Sequence, residues 1–263
     1  SGAATRMFAS FERIGVLQCG SVDEVRENVD AGDRNLEPAY RALEGWDALA
    51  VGQVVDDLVG ADAGLQTKVD ALLQTLDVTA LPKGLVPFHR YPGRVRTAVD
   101  EHVREAAALG ADSEGVVRLT FTVSTTHRHA FDSEARRAVR DLGLTLELSL
   151  TSQHPATDTV SLDEQGEPLR DSSGNLLFRP GGHGALLRNV AATGADLLAI
   201  KNIDNVVMER HRPAVVASRR LLVGLCVHLQ HQAHALLRSG DDDAARSFAR
   251  GWFGREGDTA AEL

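Results

Sequence analysis

Between residues 97 and 202 the hydrophobic period of the chain switches repeatedly between helix and strand, and few folds accommodate such an alternation. "TAVDEHVREAAALGA" (97–111) reads as an amphipathic helix, with Thr97 as its cap and Gly110 as its stop. "VVRLTFTVS" (116–124) alternates β-branched and apolar residues as a strand does. "SEARRAVRDLG" (133–143) returns to helix and "LTLELSL" (144–150) to strand. A hairpin or strand pair turning at Gly166 and Gly174 comes next, then a helix from about 184 to 192. The apolar run "DLLAIKN" (196–202) fits a further buried strand. This order predicts an α/β domain on a mainly parallel sheet.

The flanks read differently. Residues 8–80 space their apolar positions at three and four, with Asp/Gly and Gly/Ala-Asp breaks between, which predicts a helical insertion or subregion inside a domain spanning 1–210. Residues 211–263 read as a helical C-terminal segment, with "DDD" (241–243) as an acidic helix start. The chain opens on Ser1 with no apolar strand ahead of its first loop, so it is expected to begin inside a longer protein.

A chain of 263 residues that is 43% hydrophobic has enough apolar surface for a substantial core. Its net charge of −9 argues against nucleic acid as a partner, because such binding rests on Lys and Arg neutralising phosphates. A nucleotide needs only a local cradle of amides and one or two cations. Two cysteines give no disulfide framework, and the longest apolar run, near 221–227, is too short to span a bilayer. A cytoplasmic protein without a membrane partner is expected.

Four segments carry candidate chemistry. Residues 1–7, "SGAATRM", are a small-residue run leading into a helix whose first amides offer an anion site, with Arg6 as a cation; a plain turn explains them equally well. "LPKGLVPF" (81–88) stiffens a loop with two prolines around Lys83, whose ammonium a phosphate would satisfy; an exposed lysine in a turn is the simpler account. "SQHPATDT" (152–159) follows a strand and presents Gln153, whose amide both donates and accepts, in what is otherwise an ordinary polar loop. "PGGHG" (180–184) lets the backbone of Gly181, Gly182 and Gly184 approach a ligand, while "NIDN" (202–205) places Asp204 to share Mg²⁺ with phosphate oxygens and Asn202 and Asn205 to bond hydroxyls. A glycine turn followed by an Asx turn is the alternative. His228, His231 and His234 recur every third residue, so neighbouring pairs could share a metal, but they span a wide arc with no acidic residue interleaved and read more simply as a half-exposed helix face; His127 and His129 read as polar residues at a strand end, and no nucleophile with an activating base stands out.

In this order the motifs "SGAATRM", "LPKGLVPF", "SQHP", "PGGHG" and "NIDN" resemble the nucleotide-diphospho-sugar transferase superfamily, above all the UDP-sugar pyrophosphorylases. More narrowly, "LPKGLVPFHRY", "QHPATDT", "LLFRPGGHGALL" and "IKNIDNV" look like the bacterial family called domain of unknown function 4301. The likeness covers residues 1–7 and 81–210. It implies a GT-A or Rossmann-like three-layer α/β/α fold with a mainly parallel sheet and a helical insertion. It also implies that Gly2, Ala3, Ala4, Thr5 and Arg6 hold the phosphates of a nucleoside triphosphate, and that Lys83 neutralises their charge. Gln153 and the backbone of Gly182 would face the base, with Gly181 also in the nucleotide site, His183 and Gly184 the ribose or α-phosphate, Asn202 and Asn205 the sugar, and Asp204 the Mg²⁺. The implied reaction is Mg²⁺-dependent transfer of a nucleotidyl group from the triphosphate to a sugar-1-phosphate. A glycosyltransferase acting on a nucleotide-sugar, or a nucleotide-binding protein without catalysis, are the alternatives. The chain departs from the pyrophosphorylases at Ala4, where they carry Gly, and at Ala185, where they carry Asp; their C-terminal sugar-side segment is not evident.

Overall fold

The computed structural model describes residues 4–254. The chain is mixed α/β and divides into two compact units, one running to Met208 and one from Glu209.

The first unit begins with a helical block: α1 (Thr5–Leu17), α2 (Val22–Asp30), α3 (Glu37–Glu44), α4 (Ala50–Val59) and α5 (Leu65–Asp70), the last continuing into a π-helical turn, Ala71–Thr75. The three-and-four spacing produces these helices because each buries one apolar stripe. Phe8, Phe11 and Ile14 of α1, Val25 of α2, Val55 of α4, and Val69 and Leu72 beyond meet in one core. Ser21 caps α2 by accepting from Glu24 N, 3.2 Å.

A hairpin that the periodicity did not reveal then forms from β1 (Pro87–Tyr91) and β2 (Arg94–Thr97), turning at Gly93, whose φ of 71° suits glycine. From Thr97 onward the expected alternation appears. Thr97 Oγ1 accepts from Asp100 N and starts α6 (Ala98–Gly110), which stops at the anticipated glycine. Strand β3 (Val116–Thr122) leads through α7 (Arg128–Asp141) to β4 (Thr145–Thr151), and β3 pairs with β4 in parallel over seven residue pairs from Val116–Thr145 to Thr122–Thr151. Val99 and Val103 of α6, Phe131 and Ala135 of α7, and Val117 and Phe121 of β3 form a second core. Helix α7 starts earlier than its periodicity indicates, so His127 and His129 lie in a 3₁₀ turn and in the first turn of α7 rather than at a strand end.

The glycine-marked segment is a meander: β5 (Thr159–Val160) pairs antiparallel with β6 (Phe178–Arg179), with bridges Leu162–Pro168 and Arg170–Leu176 between. Gly166 and Gly174 take φ of 86° and 81° at its two turns. A 3₁₀ turn (His183–Leu186) and α8 (Leu187–Ala191) occupy the place of the next expected helix. The expected strand at 196–202 is absent: the stretch has no regular structure, and Leu197, Leu198 and Ile200 are exposed at 40%, 40% and 68%. An apolar run becomes a strand only when an open sheet edge receives it, and here it does not pair. Among the described residues the strands form three two-stranded sheets, of which β3–β4 is parallel.

The second unit holds α9 (Arg212–Ser239) and α10 (Asp242–Phe253). Asp241 caps α10 by accepting from Ala244 N at 2.9 Å, as the acidic run indicated. His228, His231 and His234 are exposed along α9. No helix among the described residues is long and apolar enough to cross a membrane.

Candidate functional site

Helix α1 begins at Thr5, and its entry is tied to the loop ahead of Lys83. Ala4 N donates to Leu81 O at 2.9 Å and Thr5 Oγ1 to Thr79 O at 3.0 Å. Ala4 is fully buried in the first core with its amide engaged in that bond, so it supports the loop rather than offering a free amide to an anion. Gly2 and Ala3 lie outside the described residues. Thr5, Arg6 and Met7 line a cleft of about 420 Å³ together with Lys83, which brings the first and second candidate segments to one place.

Lys83 is set in a 3₁₀ turn, Lys83–Leu85, and the reason lies in its neighbour. Gly84 is buried flat against the Phe131 ring of α7 and against Val99 of α6; a Cβ there would sit 2.9 Å from Phe131 Cε1 and 3.1 Å from Val99 Cγ2. That close approach presses the turn onto the α6–α7 pair and sends the lysine outward. Its Nζ lies 2.7 Å from Asp204 Oδ2, a bond that joins positions 121 residues apart.

Asp204 thus meets the cleft through Lys83. The Lys83 hydrogen bond holds the Asp204 carboxyl below its ordinary range despite partial burial. The NIDN segment is a tight turn, with Asn205 N donating to Asn202 O at 3.1 Å, and both asparagines are exposed.

A second cluster surrounds the Gly-His-Gly turn. Gln153 Nε2 donates to Asp158 Oδ1 at 3.2 Å, and Asn189 Nδ2 of α8 donates to Ser152 O at 3.0 Å. Gly181 packs so tightly on this loop that a Cβ would lie 2.6 Å from Thr157 O and 3.6 Å from Gln153 Nε2. Gly182, His183 and Gly184 are exposed beyond it. Both loops that follow the parallel strands, 123–127 and 152–158, stand together here, since Val123 N donates to Thr151 O and Ser152 Oγ to Val123 O. Ligands of parallel sheets collect at this end of the strands.

Side chains that the sequence did not single out complete the picture. His102 Nε2 lies 2.9 Å from Ile203 O, and Lys201 Nζ lies 2.6 and 2.8 Å from the two oxygens of Glu105. Their signal was faint: α6 carries charged residues at 100, 101, 104 and 105, more than one solvated face holds, and every residue from Ala98 to Glu105 is buried. The helix is therefore not amphipathic in its first two turns.

Mg²⁺ is bound by one or two carboxylates together with substrate phosphates rather than by an all-protein cage. Among the described residues no three His, Cys, Asp or Glu side chains converge to hold a metal. A single carboxylate, Asp204, held by a lysine of the cleft fits an ion shared with phosphates and does not fit a preformed metal centre.

The model of the family described as "Domain of unknown function (DUF4301)" matches residues 1–249. The chain belongs to this family. Comparison with curated proteins finds no match, and comparison with solved structures finds none. Membership covers both units and spans every segment of the candidate site.

Proposed function

We propose that the cleft binds the phosphates of a nucleoside triphosphate and that the full protein transfers a nucleotidyl group to a sugar-1-phosphate, as UDP-sugar pyrophosphorylases do. One observation carries the reading: Lys83, which lines the cleft with Thr5, Arg6 and Met7, forms a partly exposed pair at 2.7 Å with Asp204, 121 residues away. An ion pair this exposed contributes only about 0–1 kcal/mol to stability, so stability alone gives little reason for it.

In this reading the pair is a resting arrangement. An entering triphosphate takes Lys83 from the carboxylate, and Arg6 adds a second cation at the α1 end. Asp204, released from Lys83, is the residue to hold Mg²⁺, which neutralises phosphate charge when bound. Gln153 and the backbone of Gly181 and Gly182 face the base, His183 and Gly184 the ribose or α-phosphate, and Asn202 and Asn205 the sugar hydroxyls. An oxygen of the sugar phosphate attacks the α-phosphorus, the bond to the β-phosphate oxygen breaks, and pyrophosphate leaves with the electron pair. The chain supplies positioning and charge neutralisation, and no covalent protein nucleophile is required. The same reading takes the β3–α7–β4 unit as the kernel of a GT-A or Rossmann-like three-layer fold.

The test is pyrophosphate release by the full-length protein with Mg²⁺, a panel of nucleoside triphosphates and a panel of sugar-1-phosphates. Turnover that falls at least about 100-fold in Asp204→Ala and Lys83→Ala supports the proposal, a loss on the scale of removing one transition-state contact. No turnover with any pair overturns it. Transfer from a nucleotide-sugar without pyrophosphate chemistry would instead mark a glycosyltransferase, and binding that survives Asp204→Ala without any reaction would mark a silent nucleotide-binding protein.

A further inference from the structure

Lys83 and Asp204 are both positioned from one helix. Along successive turns of α6, Val99 packs against Gly84, His102 meets the Ile203 carbonyl, and Glu105 binds Lys201. The first contact fixes the residue next to Lys83, and the other two fix Lys201 and Ile203, three residues and one residue ahead of Asp204. Helix α6 is itself held to α7: Arg104 spans Asp100 and Asp141, and Arg137 reaches Asp100 at 3.1 Å and Glu134 at 2.7 Å. Thr97 Oγ1 donates to Glu134 Oε1 at 2.7 Å while capping α6, so the start of the helix is tied to α7 as well.

The Lys201–Glu105 pair has the character of a locating device. Its side chains are 10% and 7% exposed, and both carboxylate oxygens take part. Burying such a pair gains little net stability over an apolar pair, while its geometry is demanding. The segment it anchors has no helix or strand from 192 to 208, so beyond the local 202–205 turn its own backbone does not set where Asp204 sits. The His102 contact requires the ring to donate from Nε2, because a carbonyl oxygen only accepts.

We propose that Glu105 and His102 are positioning residues: from α6 they clamp Lys201 and Ile203 and so set Asp204 against Lys83. This rests on the proposed phosphate and Mg²⁺ site for its purpose, but the clamp has a readout of its own. Carbodiimide couples a carboxylate to an amine in direct contact, so the Lys83–Asp204 pair is expected to yield an isopeptide cross-link, detectable by peptide mass spectrometry in the full-length protein without any nucleotide.

In Glu105→Gln the cross-link should fall at least about fivefold. Glu105→Gln leaves a buried ammonium unpaired and risks misfolding, so Glu105→Gln with Lys201→Met serves as the second variant, removing both charges together. Lys201→Arg alone, with Glu105 intact, keeps the charge and adds a bidentate fork, so it should retain the cross-link at the wild-type level. Circular dichroism and the unfolding midpoint establish that each variant is folded. A folded double variant with wild-type Lys83–Asp204 cross-linking overturns the clamp, because a merely stabilising ion pair would leave the contact intact. Binding of each nucleoside triphosphate with Mg²⁺, by calorimetry, is measured in parallel. Weakening by about tenfold or more in the cross-link-deficient variants supports the clamp acting on the site. A wild type that binds no triphosphate sinks the functional reading while the cross-link still decides the clamp.

Discussion

Gly84→Ala tests the packing that places Lys83. A methyl group there would meet Phe131 Cε1 at 2.9 Å, the ring Cζ closer still, and Val99 Cγ2 at 3.1 Å; contacts between carbons are optimal at about 3.5–4.0 Å. Phe131 cannot swing away cheaply: it is fully buried and stacks edge-on to Phe121 with centroids 5.6 Å apart. Forcing one carbon into such a core costs about 1–3 kcal/mol. Replacing glycine at a non-left-handed position returns about 0.4–1 kcal/mol through the unfolded chain. The expected net loss is about 1–2 kcal/mol, or ~2–8 °C in midpoint for a unit of this size. Urea unfolding followed by the fluorescence of Trp46, in a Trp252→Phe background, reads this unit alone. Adding Phe131→Leu should recover part of the loss, giving a coupling energy between the two positions. A Gly84→Ala protein as stable as its parent would refute the close packing, and with it the account of why Lys83 points where it does.

Because its folded pKa is depressed, Asp204 contributes stability that is present above its unfolded pKa and lost as pH falls through the folded value. Lys83→Met should therefore lower stability near neutrality, and the gap to wild type should close on acidification in paired urea titrations. Thr97→Ala removes the α6 cap and should cost about 1 kcal/mol in the same assay. Gly181→Ala places a Cβ against Thr157 O, 2.6 Å away, and should displace the Gly-His-Gly turn; calorimetry should show lost triphosphate binding while the unfolding midpoint barely moves.

What was legible in the sequence was local. The Thr97 cap, the Gly110 stop, the β3 and β4 alternation and the turns at Gly166 and Gly174 each depend on a few neighbouring residues, and each is found where expected. The run at 196–202 has the composition of a buried strand, yet strand formation depends on a partner edge that composition does not specify. The β1–β2 hairpin escaped notice because His89, Arg90, Arg94 and Arg96 hide its alternation behind charge. Arg96 is nevertheless buried, with its guanidinium over the Tyr91 ring at 4.3 Å. At the site, Lys83 and Asp204 were marked by their loops, but Glu105 and His102 were not. Their partners lie 96 and 101 residues away, and no spacing rule reaches that far.

The 121-residue interval between Lys83 and Asp204 also has a bearing on how the protein is made. Closing a flexible loop of that length costs about 4 kcal/mol, several times what a half-exposed ion pair returns, about 0–1 kcal/mol. The pair is thus an outcome of folding and never a cause of it. On the ribosome, at about 5–20 residues per second, Lys83 waits roughly 6–24 s for its partner to be synthesised. The helical block and the β3–α7–β4 unit can condense during that wait, whereas the cleft acquires its acidic side only after nearly the whole first unit has emerged.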